Sequence, residues 1–350
     1  MKAENFLTLE DSLTKRIYSV WESENEKTLR EIQAAIEDAR FLEALELSKT
    51  LTFSVADKKL KTYIKTVSTS AVYFGASNVV STNEIGTPPE QINSVSDKAT
   101  ELLIMALGNL DLHFTRLISK YIDKSQREYQ ESRESGEVSK SFSRPFVSYA
   151  KLHAEGAINF TSSLHTSRLA SWGFLNECEF QGYVEYKISE MLDPRTCPIC
   201  SRMHGRKFKV APAKKKLDSW LSVTDPDQLK SIAPFPRQDS VSLALFDRLS
   251  NEDLVKRGWD TPPYHPRCRG ILVKVSEKIE RRPIRLPSRG IEALNPNKPE
   301  PKPKKRPAVP MQTVREVWDL LNSGVPENQI MSILGITAAQ LDEAKRLSGG

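Results

Sequence analysis

Cysteine is scarce in this chain, and what there is lies close together. Four cysteines and five histidines occur in 350 residues, and three of the cysteines and two of the histidines fall in two short clusters. No uninterrupted apolar run approaches the roughly 20 residues that cross a bilayer, so no membrane partner is expected. The N-terminus, Met1-Lys2-Ala3-Glu4-Asn5-Phe6, lacks a charged-then-apolar leader design, which points to folding in a reducing cytoplasm. Clustered cysteines there favour a metal over a disulfide. Also missing are a Walker loop, a dinucleotide fingerprint, H-E-x-x-H and G-x-S-x-G, which removes the chemistries those motifs carry.

The first cluster reads Asp193-Pro194-Arg195-Thr196-Cys197-Pro198-Ile199-Cys200-Ser201-Arg202-Met203-His204-Gly205, the second Pro262-Pro263-Tyr264-His265-Pro266-Arg267-Cys268-Arg269-Gly270. A C-x2-C followed much later by H-x2-C supplies the four donors of a tetrahedral zinc site. Cys197, Cys200, His265 and Cys268 are the expected ligands, with His204 as the alternative to His265. Three thiolates and a neutral imidazole leave a divalent ion with net charge −1, which Arg195, Arg202, Arg267 and Arg269 are placed to offset as outer-shell donors. A closed set of four is structural, since it keeps no position for catalytic water. A folded corner without metal and a disulfide are the competing readings. Cys178 stands apart and reads as a packing residue.

Around the clusters the pattern is mainly helical. Leu13, Ile17, Val20 and Trp21 keep helical spacing, as do Leu29, Ile32, Ile36 and Ala39. Pro88-Pro89 opens a helix carrying Ile92, Val95, Ala99, Leu102, Leu103 and Leu107 toward about Tyr129, and a further helical block covers roughly 146–180. Tyr183, Val184, Tyr186 and Ile188, with charges between them, predict a strand. Lys207–Val210 is its expected hairpin partner and Ile271–Val275 a third strand. The expected fold is α+β and predominantly helical, with long N-terminal helices, a small β-sheet carrying the Cys/His knuckle, and a C-terminal three-helix unit of helix–turn–helix type. It divides into a helical region 1–130, a core 146–281 with a polar insertion 211–260 holding one short helix near 240–249, a linker 282–310, and the helical module 311–350.

Charge is unevenly placed. The net charge is +6, and residues 281–310 hold nine cations against Glu292 and Glu300, or +7. Eight prolines in 282–310 predict an extended linker. Lys302, Lys304, Lys305 and Arg306 there, and Lys214, Lys215 and Lys216 in the acid-free run from Arg202 to Lys216, are the candidate contacts to a polyanion such as DNA; a solvated linker and loop are the plain alternative. In the last 40 residues Asp342 and Glu343 disfavour phosphate, so protein docking is favoured over DNA reading.

An enzyme reading competes. His153-Ala154-Glu155 with Cys197-x-x-Cys200 is superficially similar to the zinc nucleoside deaminases, but proline follows the first cysteine instead of preceding it. A treble-clef nuclease with His204 as base lacks a convincing second metal residue.

Taken with Thr166-Ser167-Arg168, Gly182-Tyr183-Val184-Glu185-Tyr186 and His204-Gly205, the two clusters resemble those of the Mu F-type minor head proteins of tailed bacteriophages, the phage head morphogenesis family. The resemblance covers roughly residues 100–280. Gly270 stands where that family has its last cysteine, which excludes a ligand set needing it and supports His265 with Cys268 as the closing pair. The resemblance implies a non-enzymatic minor capsid protein of the virion, inside the capsid near the portal after assembly in the host cytoplasm. Its implied partners are the portal protein, the major capsid or scaffolding protein, and packaged double-stranded DNA bound non-specifically. Its implied roles are head assembly, DNA packaging or ejection.

Overall fold

A computed structural model describes residues 3–53, 57–135, 145–232, 234–265, 267–275, 313, 314, 317, 327–334 and 336–348. The linker 282–310, with Lys302, Lys304, Lys305 and Arg306, lies outside the described residues. The chain is predominantly helical and carries one three-stranded antiparallel sheet. It divides into two compact units, residues 1–283 and 284–350.

In the first unit the apolar periodicity of the N-terminal region becomes α1 (Ala3–Glu37), α2 (Phe41–Ser48) and α3 (Lys58–Ser77). Pro89 occupies the first turn of α4 (Pro89–Gly108), where a missing N–H costs nothing. The expected single helix stops at Asn109, and α5 runs separately over Leu110–Ser135. Within Pro89–Ser135 an 18-residue window is long and apolar enough to cross a membrane by length and composition, with 28% of it buried. Its residues Leu102, Leu103, Leu107, Phe114 and Ile118 are core positions.

Helix α6 (Phe146–Gln181) is the axis of the unit and packs against α1, α3, α4 and α8 (Val210–Leu221). Its first half gives Phe146, Ala150, Ala154 and Ile158 to the core of the N-terminal helices. Its second half gives Leu169, Trp172, Phe174, Leu175 and Cys178 to the core beneath the sheet. Burial pushes the Cys178 thiol up to about 12, as suits a packing residue. Gly182, at φ +80°, ends α6 in the left-handed conformation while Tyr183 N–H returns to the Cys178 carbonyl at 2.8 Å. The chain then enters β1 (Glu185–Ser189).

The sheet order is β2-β1-β3, with β2 at Lys207–Lys209 and β3 at Ile271–Lys274. Tyr186 pairs with Phe208 on one side and Lys274 on the other, and Ile188 with Leu272. Both clusters therefore sit at the end of this sheet where β1 leaves and β3 enters. The expected strands are all present, each within one or two residues of its predicted span.

The insertion differs from its sequence reading. Residues 211–260 are mostly helical, containing the bulk of α8 together with α9 (Pro226–Ile232), α10 (Ser240–Phe246) and α11 (Asn251–Lys256). They place Leu217, Trp220, Leu221, Phe246 and Leu254 in the core. Pro212 and Pro226 look like breakers in sequence, but each falls in the first turn of its helix, where proline is tolerated. Ser250 and Asp253 form a capping box that starts α11.

In the second unit, helices Glu327–Leu334 and Ala338–Ser348 join Val314 and Val317 in a small core of Val314, Val317, Ile330, Leu341 and Ala344. Thr337 and Gln340 cap the last helix reciprocally: Gln340 N–H reaches the Thr337 hydroxyl at 3.3 Å, and Thr337 N–H reaches Gln340 Oε1 at 3.0 Å.

Candidate metal centre

The first cluster is a turn followed by one short helix. Asp193 Oδ1 accepts Arg195 N–H at 2.9 Å, and the Thr196 hydroxyl accepts Asp193 N–H at 2.8 Å. Cys197 is the N-cap of α7 (Pro198–Met203), its sulfur accepting Cys200 N–H at 3.3 Å. Gly205, at φ +80°, turns the chain into β2. The second cluster crosses the same sheet end immediately before β3. Tyr264 is buried there, and Arg267 N–H is held by Ser163 Oγ of α6 at 2.9 Å.

This crossing brings Cys197, Cys200 and His265 into one group and Cys268 beside Cys200 in another, and among the described residues no single group contains all four expected ligands. Cys200 Sγ lies 3.1 Å from His265 Nε2 and 3.7 Å from Cys268 Sγ. Two thiolates sharing a tetrahedral zinc at the usual bond length sit about 3.8 Å apart, and a thiolate and an imidazole about 3.6 Å. The observed spacings are within about half an ångström of those values. All the cysteines are free, and a 3.7 Å separation is far outside the roughly 2.05 Å of a disulfide.

The donors form two overlapping groups able to hold a metal ion. Cys197, Cys200 and His265 make one; Glu190, Cys200 and Cys268 make the other; within each, the ligand atoms lie within 4.8 Å of one another. Cys200 belongs to both. Glu190, the residue after β1, is absent from the sequence reading. It is buried, which pushes its carboxyl up to about 9, the Cys268 charge adding to the effect and the Cys200 thiol and Arg269 charge opposing it. Its sequence signal is indirect and lies at Gly270: a Cβ built there would sit 2.2 Å from Glu190 Oε1.

Within the sulfur pair the Cys200 thiol donates to Cys268. Cys268 falls to about 6 for that reason first, with backbone hydrogen bonds at Tyr264 and Gly270 assisting, while Cys200 is raised.

His204 does not join the donors. It is exposed, and its Nδ1 accepts Glu190 N–H at 3.1 Å, so it ties α7 to the end of β1. The four expected outer-shell arginines each have a carboxylate partner, and the one sulfur that any of them reaches is Met191 Sδ, 3.2 Å from Arg269. Arg269 grips Asp193 with both Nη atoms at 2.6 and 2.7 Å, Arg202 takes Asp247, Arg267 takes Asp11 at 2.9 Å, and Arg195 reaches Asp193 at 3.4 Å.

Part of the basic run after α7 is spent inside the fold, while Lys207, Lys209 and Lys215 stay exposed. Lys214 is buried, paired with Asp218 at 2.7 Å and lying 4.8 Å over the Trp172 ring. Lys216 reaches the buried Asp260, the Thr261 hydroxyl at 2.7 Å and the Gly258 carbonyl at 3.1 Å. Lys215 alone of the three is exposed. As polyanion contacts Lys214 and Lys216 are therefore corrected: they lie on different sides of α8, and each side is covered, Lys214 by Trp172 and Lys216 by the 258–261 segment, with an acid to pair it. His153 is exposed, packed on the Tyr149 ring at 4.4 Å, and Glu155 is exposed. Among the described residues neither belongs to a group that can hold a metal.

Comparison of the chain with protein-family models, with curated proteins and with solved structures finds no match in any of the three.

Proposed function

We propose that this protein is a non-enzymatic minor capsid protein of a tailed bacteriophage, of the Mu F type, whose two clusters are stapled by a structural zinc ion. The observation that carries the reading is the meeting of Asp193-Pro194-Arg195-Thr196-Cys197-Pro198-Ile199-Cys200 with His265-Pro266-Arg267-Cys268-Arg269, by thiol and imidazole at Cys200 and by an ion pair at Asp193. Cys197, Cys200, His265 and Cys268 would hold the ion. The metal fixes the sheet corner, and the helices and basic linker meet the partners: the portal, the capsid or scaffolding protein, and DNA bound through phosphate without sequence reading. The protein would sit inside the head near the portal and assist assembly, packaging or ejection.

Mass spectrometry of purified heads before and after DNA release tests the placement, and absence from assembled heads would overturn it. Metal analysis of the purified protein tests the staple: the wild type should carry zinc, and Cys200→Ser should lose it together with thermal stability. The rival class is a zinc-dependent nuclease or deaminase. Turnover of nucleic acid abolished by His204→Ala or Glu155→Ala would establish that class instead. Deleting 282–310 should weaken DNA retention with a loss of salt dependence, and unchanged retention at low salt would remove the linker from the reading.

A further inference from the structure

Glu190 is out of place as a solvated acid. It follows β1 directly and is 6% exposed. Its Oε1 is buried with no hydrogen-bond partner. A buried polar atom without a donor is costly and uncommon, and a cation is one of the few groups that satisfy it. The carboxylate lies with the Cys200 and Cys268 sulfurs in a group whose atoms are all within 4.8 Å of one another. A divalent ion bonded at about 2.0–2.3 Å to each fits among three such atoms.

Gly270 explains why the carboxylate can be there. A Cβ at this position would meet Glu190 Oε1 at 2.2 Å, Cδ at 2.7 Å and Oε2 at 2.8 Å. The room left by the missing side chain at 270 is the room Glu190 fills. The neighbouring chain direction is fixed independently, because Arg269 is clamped to Asp193 and Leu272 is paired to Ile188. Residue 270 is thereby held against the donor group, and its lack of a side chain decides which group points into the corner.

We propose that Glu190 is a metal ligand, giving a carboxylate oxygen to the ion held by Cys200 and Cys268. This rests on the metal staple proposed above. The group it completes offers two sulfurs and one oxygen, a mixed set suited to a borderline divalent ion such as zinc or cobalt more than to a purely thiophilic one. It also puts a ligand at the end of β1, so the ion ties the central strand, and not only the loops, to the segment entering β3.

The test is a Co2+ titration of metal-stripped, full-length protein, followed by competition with Zn2+, on the wild type, on Glu190→Gln, and on Glu190→Ala combined with Gly270→Cys. Circular dichroism establishes that each is folded. Glu190→Gln should leave the sulfur-to-cobalt charge-transfer intensity per ion unchanged, alter the d–d bands, and weaken affinity by at least about tenfold. The double variant exchanges the carboxylate for a thiolate in the same space and should raise the charge-transfer intensity by one sulfur. A Glu190→Gln protein with wild-type affinity and d–d bands, or a double variant with no added intensity, overturns the Glu190 assignment while leaving the staple intact. A wild-type protein that gives no cobalt–sulfur band overturns the staple itself.

Discussion

Asp193 and Arg269 lock the two clusters together through a fork-to-fork pair, Nη1 at 2.6 Å from Oδ2 and Nη2 at 2.7 Å from Oδ1. The pair joins residues 76 positions apart, and the same carboxylate also organises the turn before Cys197 by accepting Arg195 N–H. The Arg269 guanidinium holds the Asp193 carboxyl well below the usual carboxylate range. Lysine cannot reproduce the paired geometry, because it presents a point charge and not a planar fork. Arg269→Lys should therefore weaken metal binding by roughly tenfold, the scale of an outer-shell loss, with the fold retained. Competition against a chromogenic chelator measures it, and an affinity equal to wild type would show that the pair does not orient the ligands.

The meeting of the clusters was legible in the sequence because ligand spacing and flanking residues are local signals. The strands were legible for the same reason: Tyr186 and Ile188 alternate with charges. Glu190 was not, since a single acid at a strand end looks solvated until the residue that faces it, Gly270, is known. The inward turn of Lys214 and Lys216 was hidden likewise. Their acids are Asp218, one helical turn on, and Asp260, 44 positions away, and only the tertiary fold makes that second neighbour. Helices α8 and α9 of the insertion were concealed by prolines that read as breakers but fall in the first turn.

Lys216 gives the sharpest check on that inward turn. Its ammonium and the Asp260 carboxylate are both largely buried, 12% and 1% exposed. Lys216→Met leaves the acid buried and unpaired, which should cost about 3 kcal/mol. Lys215→Met, on an exposed side chain, should change stability by less than about 0.5 kcal/mol. Urea unfolding of the two variants distinguishes them, and equal stabilities would contradict the buried pair.

Two glycines set how closely α3 and α6 approach. A Cβ at Gly75 would meet the Ala170 carbonyl oxygen at 1.8 Å, and one at Gly173 would meet the Val72 carbonyl oxygen at 2.1 Å. Both obstacles are backbone, which cannot swing aside. Gly75→Ala or Gly173→Ala should therefore destabilise the protein by about 3 kcal/mol through overpacking. A Cβ at Gly156, in the same α6, would meet nothing within 4 Å, so Gly156→Ala should stabilise by about 0.5–1 kcal/mol through helix propensity. The same substitution in one helix thus changes sign with its neighbour. Thermal melts of Gly173→Ala and Gly156→Ala moving in the same direction would refute the close crossing.

Glu10 sets a pH dependence. The carboxylate is buried and accepts the hydroxyls of Ser163, Thr166 and Ser167 at 3.0–3.3 Å. Burial raises its pKa from 4.5 to about 7, against the lowering effect of those hydroxyls and of the Arg267 charge. In the unfolded chain it titrates near its ordinary value. Between about 4.5 and about 7 the folded protein keeps a proton that the unfolded chain has released. Stability from this group is thus full below the lower value and lost as pH rises through the upper one, by on the order of 3 kcal/mol. Glu10→Gln stays neutral throughout and should lose that slope. Urea unfolding of both proteins at several pH values between 4 and 8 — roughly the span over which the linkage acts — reads the difference, and parallel curves would mean that Glu10 is ionised in the folded state.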